Sequence, residues 1–243
     1  MLGENVRTAE VIDPIMTLQE IAGYLKVSEK TILRMVQSGE LPGVKISNQW
    51  RFVRGVIDEW LSRRMFSAPK QSLLNVIGSA QSIIPITRLV SPPRIILGVA
   101  PGGKETILKQ LVAPLVEDGL VTDPDRYVEL LLEREETVST GIGHGLAIPH
   151  VRDPERSTIA SPCIVIGICR EGADFGALDG QKTFVFAMPC SSSENVHLRL
   201  LAKITLIFRQ PGVLTKMTEA STKKDIMEIL AITDHELMGL SID

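Results

Sequence analysis

Two runs in the second half of the chain, TIASPCIVIGIC (158–169) and TFVFAMPC (183–190), carry no charged residue and are rich in Ile, Val and Phe. Such runs read as strands buried on both faces, because a strand with one wet face alternates apolar with polar residues. A sheet built on them has to be covered from both sides. The flanking sequence supplies the cover: helical periodicity runs over Lys104–Glu117, over TDPDRYVELLLERE with Thr122 or Asp123 as its cap, over 193–208 and over 223–230. Helices interleaved with a few strands predict an α/β domain with helices on both faces of its sheet, from about Pro85 onward.

The front of the chain follows another plan. The formal net charge of all 243 residues is -3, yet residues 26–64 hold eight basic and four acidic side chains, a net of +4. A local basic excess is a modest footprint for nucleic acid. Leu18, Ile21, Ala22 and Leu25 have helical spacing behind Thr17 as N-cap, with Glu20 at the capping-box position. A second helix starts at Ser28, turns Ile32, Leu33 and Val36 to one side, and stops at Gly39. Only Lys26 and Val27 separate the two, so the helices must cross sharply. Val44 and Ile46, then Trp50 and Phe52, alternate around Ser47-Asn48 as in a short hairpin. A third helix over 54–64 is expected to bury Val56, Ile57, Trp60 and Leu61.

Helix-turn-helix, hairpin, helix is the plan of a small winged domain, and this stretch resembles the excisionase and MerR-like DNA-binding domains. The resemblance implies a second helix in the major groove and a hairpin wing on the backbone or minor groove. The DNA-binding candidates are then Ser28, Lys30, Thr31 and Arg34 on the helix, with Lys45 and Arg51 on the wing. A three-helix adaptor with a solvated basic face is the competing reading. One such module neutralises few phosphates, so a homodimer would bind DNA better than a monomer.

Residues 65–86 are nearly uncharged and frequent in Ser, Gln, Gly and Pro, which marks a boundary. Leu73, Leu74, Val76, Ile77, Ile83 and Ile84 are too apolar for a solvated tether, so a short packing helix is expected there. The organisation predicted is a helix-turn-helix domain at 1–64, a linker at 65–85 and an α/β domain at 86–243. No uncharged apolar run of membrane-spanning length occurs, and MLGENVRTAEVIDP lacks the apolar core of a signal peptide. Cys163, Cys169 and Cys190 form no C-x-x-C pair and read as reduced, buried thiols, so a cytoplasmic protein is expected.

Two motifs bear on chemistry. Gly98 to Lys104 reads G-x-x-x-x-G-K, most of a phosphate-binding loop, but Glu105 stands where a hydroxyl would hold Mg²⁺. The expectation is the end of a strand in the apolar run RIIL (94–97), a turn at Pro101-Gly102 and a helix beyond it. The second is GIGHGLAIPHVRDP, with Gly141, Gly143 and Gly145 at alternate positions and His144 and His150 six apart. It is neither a dinucleotide fingerprint nor a hydrolase elbow, and Pro149 rules out a helical two-histidine metal site. What remains is one histidine at a strand end, able to act as a nucleophile when one ring nitrogen is held and the other is neutral. The glycines would let another surface approach closely.

The longer stretch REETVSTGIGHGLAIPHVR resembles the active-site segment of enzyme IIA of the bacterial phosphotransferase system, in its mannitol, fructose and nitrogen-regulatory type. SENVHLRLLAKI resembles that family's second histidine segment. The resemblance covers Pro85 to the end of the chain and implies a IIA-like mixed sheet. It implies that His150 accepts a phosphoryl group from the phosphohistidine of an HPr-type carrier, with Arg134 as charge partner and His197 as second histidine. Thr140 and Arg152 are further phosphoryl-contact candidates. Phosphoryl transfer needs positioning and charge stabilisation more than covalent help, and the labile bond argues for a shallow, accessible site. His144, at a variable position of the signature, and Cys190 are expected to be bystanders, and no metal or cofactor is expected.

Together the two halves predict a phosphorylation-responsive DNA-binding regulator, a phosphocarrier by chemistry more than a turnover enzyme. The alternatives are a IIA phosphocarrier serving a separate IIB component, and a IIA-like regulator acting through protein contacts. None of the three needs a membrane segment.

Overall fold

In a computed structural model, which describes residues 15–77 and 84–238, the capping box at Thr17 is complete. The Thr17 N–H donates to Glu20 Oε2 at 2.7 Å, and the Glu20 N–H donates to Thr17 Oγ1 at 3.3 Å. Helix α1, Leu18–Leu25, closes on Lys26 in the left-handed region, and α2, Glu29–Gln37, begins where Ser28 Oγ accepts the Thr31 N–H. Strands β2, Val44–Ile46, and β3, Gln49–Val53, form the expected hairpin. Its turn residues Ser47 and Asn48 both have positive φ, the geometry that matches strand twist.

Helix α3, Arg54–Ser67, is three residues longer than the periodicity suggests, and Val56, expected inside, is 40% exposed. The sequence pattern gave no sign of β1, Ile15–Met16, which pairs antiparallel with β3 and makes the sheet order β1-β3-β2. Ile21, Ile32, Leu41, Phe52 and Ile57 form this unit's buried core.

The chain divides into two units, Met1–Ser62 and Arg63–Asp243. In the larger one, α4, Lys70–Ile77, is the helix anticipated in the linker; Leu73 and Ile77 are buried, and it packs along α8, Glu194–Phe208. Arg209 Nη1 donates to the Ala68 carbonyl at 2.6 Å beside that contact. Ile83, also read as apolar packing, lies outside the described residues, and Ile84 is 45% exposed. A short α5, Ile86–Leu89, and a 3-10 turn at Pro92–Arg94 lead into β4, Ile95–Ile96.

Next come α6, Lys104–Glu117, α7, Pro124–Thr137, the two short strands β5, Gly141–Gly143, and β6, Leu146–Ala147, then β7, Cys163–Ala173, and β8, Thr183–Cys190. The sheet order is β4-β7-β8-β6-β5: β4 lies parallel to β7 and β6 to β8, and the other neighbours are antiparallel. It is a mixed sheet. The charge-free runs supply Cys163–Cys169 of β7 and all of β8, and Cys163–Cys169 is buried throughout, as its composition requires; β7 ends on the exposed Arg170 and Glu171.

One face of the sheet meets α6 and α7 through Leu108, Leu111, Tyr127, Val165, Phe175, Phe186 and Met188. Helices α8, α9, Val213–Glu219, and α10, Lys223–Met238, contact the sheet strands as well. Helix α10 runs eight residues past the predicted end at Leu230, and Asp234 and Leu237 on the added turns are buried. Asp234 is held there by an ion pair with Lys203 of α8, which overrides the polarity that made the end look solvated.

Candidate active site

The parallel pairing of β6 with β8 brings two distant segments side by side. Just past β6, the segment Ile148-Pro149-His150 is outside the strand, and Pro149 has no N–H to donate to a ladder. Just past β8, Ser191 to Ser193 lead into α8, and His197 sits in its first turn with its N–H on the Ser193 carbonyl at 2.8 Å. The His150 and His197 rings lie 5.3 Å apart between centroids, tilted by 46°. Ser157 ties the two segments together, its hydroxyl lying 2.7 Å from the Pro154 carbonyl and 2.9 Å from that of Ser191. The third sequence candidate, Arg134, comes from the last turn of α7, where Nη1 donates to the Val138 carbonyl at 2.8 Å.

His150, His197 and Arg134 are 4%, 6% and 3% exposed. This corrects the expectation of a shallow, open site: the residues are recessed among the sheet and the ends of α7 and α8. Burial pushes the affinity of His150 for a proton well below the ordinary imidazole value; the Arg134 charge and then His197 push the same way, and the Ile148 carbonyl opposes them. His150 is therefore a neutral imidazole at pH 7. Its Nδ1 lies 2.7 Å from the Ile148 carbonyl oxygen. A carbonyl only accepts, so Nδ1 carries the proton and Nε2 carries the lone pair.

Thr140 is close in sequence but engaged elsewhere. Its hydroxyl donates to Glu135 Oε1, and its N–H lies 3.1 Å from both Glu135 oxygens. In this arrangement the single hydroxyl proton of Thr140 is engaged by Glu135. Arg152 is half-buried two residues beyond His150.

The glycines also change meaning. A Cβ on Gly141 would stand 2.9 Å from Ala177 Cα, and one on Gly143, where φ is +94°, would stand 2.8 Å from Asp179 Oδ2. They make room for the protein's own 177–179 segment, not for a visiting surface. His144, at the tip between β5 and β6, is exposed and anchors its N–H on Asp179 Oδ2 at 2.8 Å.

Sequence reasoning passed over Glu135, Lys104 and Ser157. The phosphate-loop lookalike ends with Lys104 Nζ 3.0 Å from Glu135 Oε2, a protein carboxylate in place of a nucleotide. The turn before it is closed by Gln110, which bonds both the N–H and the carbonyl of Ala100. The only sequence signal for Glu135 was its place beside Arg134. Among the described residues no group of three or more His, Cys, Asp and Glu side chains could hold a metal ion, and no helix is long and apolar enough to cross a membrane. Cys163, Cys169 and Cys190 are buried free thiols.

The DNA-binding candidates belong to the smaller unit. Ser28, Lys30, Arg34 and Lys45 are exposed, and Thr31 and Arg51 are half-buried. Ser28 and Thr31 hydroxyls are 2.9 Å apart and cap α2, while Arg51 bonds the Trp50 carbonyl and Gln49 Oε1. Of these candidates, the fully exposed cations are Lys30, Arg34 and Lys45.

The family model for the phosphoenolpyruvate-dependent sugar phosphotransferase system, EIIA 2, matches residues 89–232. The chain belongs to this EIIA 2 family. A helix-turn-helix domain model matches residues 15–65. Among relatives, the fructose-specific EIIABC component of Bacillus subtilis is 30% identical over 147 residues, 60% of this chain and only 23% of that protein. The fructose-specific EIIA component of Haloferax volcanii is 31% identical over 134 residues, 54% of this chain and 84% of the relative. Nitrogen regulatory protein IIA-Ntr from Neisseria meningitidis has the same fold, with a TM-score of 0.53 and 24% identity over 59% of this chain and 97% of that one. The EIIA 2 domain of this chain thus shares a polypeptide with a helix-turn-helix domain.

Proposed function

We propose that this protein is a DNA-binding regulator whose EIIA 2 domain accepts a phosphoryl group on His150 Nε2 from an HPr-type phosphocarrier, and whose DNA binding responds to that group. The observation that carries the reading is the neutral, Nδ1-tethered imidazole of His150 beside His197 and Arg134. In the transfer the Nε2 lone pair forms the new N–P bond as the donor's P–N bond breaks, and the bonding pair returns to the donor's ring nitrogen. Arg134 offers guanidinium N–H groups to the charge spread over the phosphoryl oxygens. His197 stands in the first turn of α8, where the helix dipole favours an adjacent anion. Recession of the site keeps those interactions strong by excluding water.

The same helix suggests how the signal leaves the site. Helix α8 carries His197 at its start and packs against α4, the segment that follows α3. Phosphorylation adds about −1.5 to −2 charges at the head of α8, and a shift of α8 changes the surface on which α4 rests. Lys30, Arg34 and Lys45 would carry the DNA contacts, in a cytoplasmic homodimer.

The test is incubation with phosphoenolpyruvate and the general carrier proteins, mass spectrometry to locate the group, and DNA binding with and without it. Phosphate on His150 with a changed DNA affinity is expected, and equal affinity for both forms refutes the regulatory part.

A second reading, phosphate transfer to a separate IIB component, is favoured by the 84% coverage of the Haloferax volcanii EIIA component. Discharge of the phosphorylated protein on adding IIB proteins would support it.

A further inference from the structure

Glu135 is a carboxylate buried to 5% exposure; among the described residues of the larger unit the other buried carboxylate is Asp234, which faces Lys203 near the middle of α8. Three donors converge on it. Lys104 Nζ is 3.0 Å from Oε2, the Thr140 N–H lies 3.1 Å from both oxygens, and the Thr140 hydroxyl donates to Oε1. From Thr140 the bonding continues without a break. The Thr140 carbonyl accepts the Ile148 N–H at 3.0 Å, and the Ile148 carbonyl accepts the Nδ1–H of His150 at 2.7 Å.

We infer that Glu135, with Lys104 as its counter-ion, is a positioning residue that holds His150 in the Nδ1–H tautomer and so selects Nε2 as the reacting atom. This rests on the reading of His150 as the phosphoryl acceptor. Glu135 acts by fixing the start of β5, which fixes the Ile148 peptide, which fixes the imidazole.

A charge is needed because of the donor count. Three donors meet one carboxylate, whose two oxygens offer about four lone pairs. A glutamine has one acceptor oxygen and would turn its NH₂ toward a donor, so the Thr140 backbone would have to move. Lys104 offsets the burial of the anion. Its Nζ also stands over the Phe175 ring, 5.4 Å from the centroid, a second contact that favours the cation at this position. The Lys104 end of the phosphate-loop lookalike thus has a use in which no nucleotide takes part.

The experiment uses the full chain with Glu135→Gln and Lys104→Met, and two readouts. Long-range ¹H–¹⁵N spectra report which His150 nitrogen carries the proton, and phosphorylation by the phosphorylated carrier reports kcat and KM. Glu135→Gln should convert a fixed Nδ1–H signature into averaged nitrogen shifts. It should lower kcat on the order of 10- to 100-fold, the cost of misplacing a reacting group by about an ångström, with KM for the carrier little changed. Lys104→Met should move both readouts the same way, and Lys104→Arg, which keeps the cation, should recover more of the rate than methionine.

Unchanged His150 nitrogen shifts in Glu135→Gln overturn the proposal. If that variant does not fold, Lys104→Met decides, since its side chain is 31% exposed and its loss opens no core; a wild-type tautomer there is equally fatal. The acceptor reading fails separately, if wild-type protein takes no phosphate while Glu135→Gln still shifts the tautomer.

Discussion

Replacing Asp234 with alanine is expected to destabilise the larger unit by about 3–5 kcal/mol at pH 7, the range for breaking one half of a buried ion pair. The size follows from what is left behind. Lys203 and Asp234 are 3% and 6% exposed, with Nζ 2.9 Å from Oδ1. Lys203 also donates to the Ile84 carbonyl at 2.6 Å, and Asp234 Oδ2 accepts the Ile86 N–H at 2.7 Å. Burial already lowers the proton affinity of Lys203, and Asp234 works against that.

Without the carboxylate, the lysine either stays charged at the full desolvation cost or gives up its proton. The second route sets a ceiling. An amine with an ordinary value of 10.5 costs about 1.4 kcal/mol to discharge for each of roughly 3.5 pH units, or about 5 kcal/mol at pH 7. The sign with pH follows from the same count. In the variant the folded state holds a neutral Lys203 and the unfolded chain protonates it, so stability rises with pH toward 10.5, by up to about 1.4 kcal/mol per unit.

Urea unfolding followed by far-ultraviolet circular dichroism at pH 7, 8 and 9 measures this. Tryptophan fluorescence tracks the smaller unit separately, because Trp50 and Trp60 both lie there. The double variant Lys203→Met/Asp234→Leu should be more stable than Asp234→Ala, since it leaves no buried charge. A cost below about 1 kcal/mol, equal at pH 7 and pH 9, would refute the reasoning.

His150 should make the protein acid-sensitive. Its folded proton affinity is depressed while the unfolded chain protonates near 6.5, so stability falls as pH drops below that value, and denaturation midpoints at pH 7.5 and 5.5 should differ less in His150→Ala than in wild type. Gly141→Ala would force a methyl to within 2.9 Å of Ala177 Cα, and a loss of about 1–3 kcal/mol is expected in thermal unfolding. In the smaller unit, Arg34→Ala should weaken DNA binding across sequences and reduce the salt dependence, log K against log salt, by about 1 if the guanidinium meets a phosphate. An unchanged slope would remove Arg34 from the phosphate contacts.

Much of the architecture was legible because its signals are local. The cap at Thr17, the two-residue gap at Lys26-Val27 and the Ser47-Asn48 turn each depend on residues within a few positions of one another, and each is found as read. The central strands were legible because a strand covered on both faces has no polar alternation to hide it. The two-residue strand β1 was not: it owes its pairing to β3, and nothing within Ile15–Met16 sets it apart from other apolar pairs.

The site divides along the same line. By itself the sequence determined that a proline precedes His150, that Arg134 and Glu135 end a helix and that His197 begins one, because propensities and caps are short-range. Only the tertiary structure decided that the two histidines stand 5.3 Å apart and recessed, and that the Ile148 carbonyl holds the Nδ1 side of His150. It also decided that Glu135 takes the Thr140 hydroxyl, and that Asp234 meets a backbone N–H 148 residues away. Those partners are chosen by the burial of polar groups, which must find whatever donor the fold brings near, and no local pattern in the chain encodes that choice.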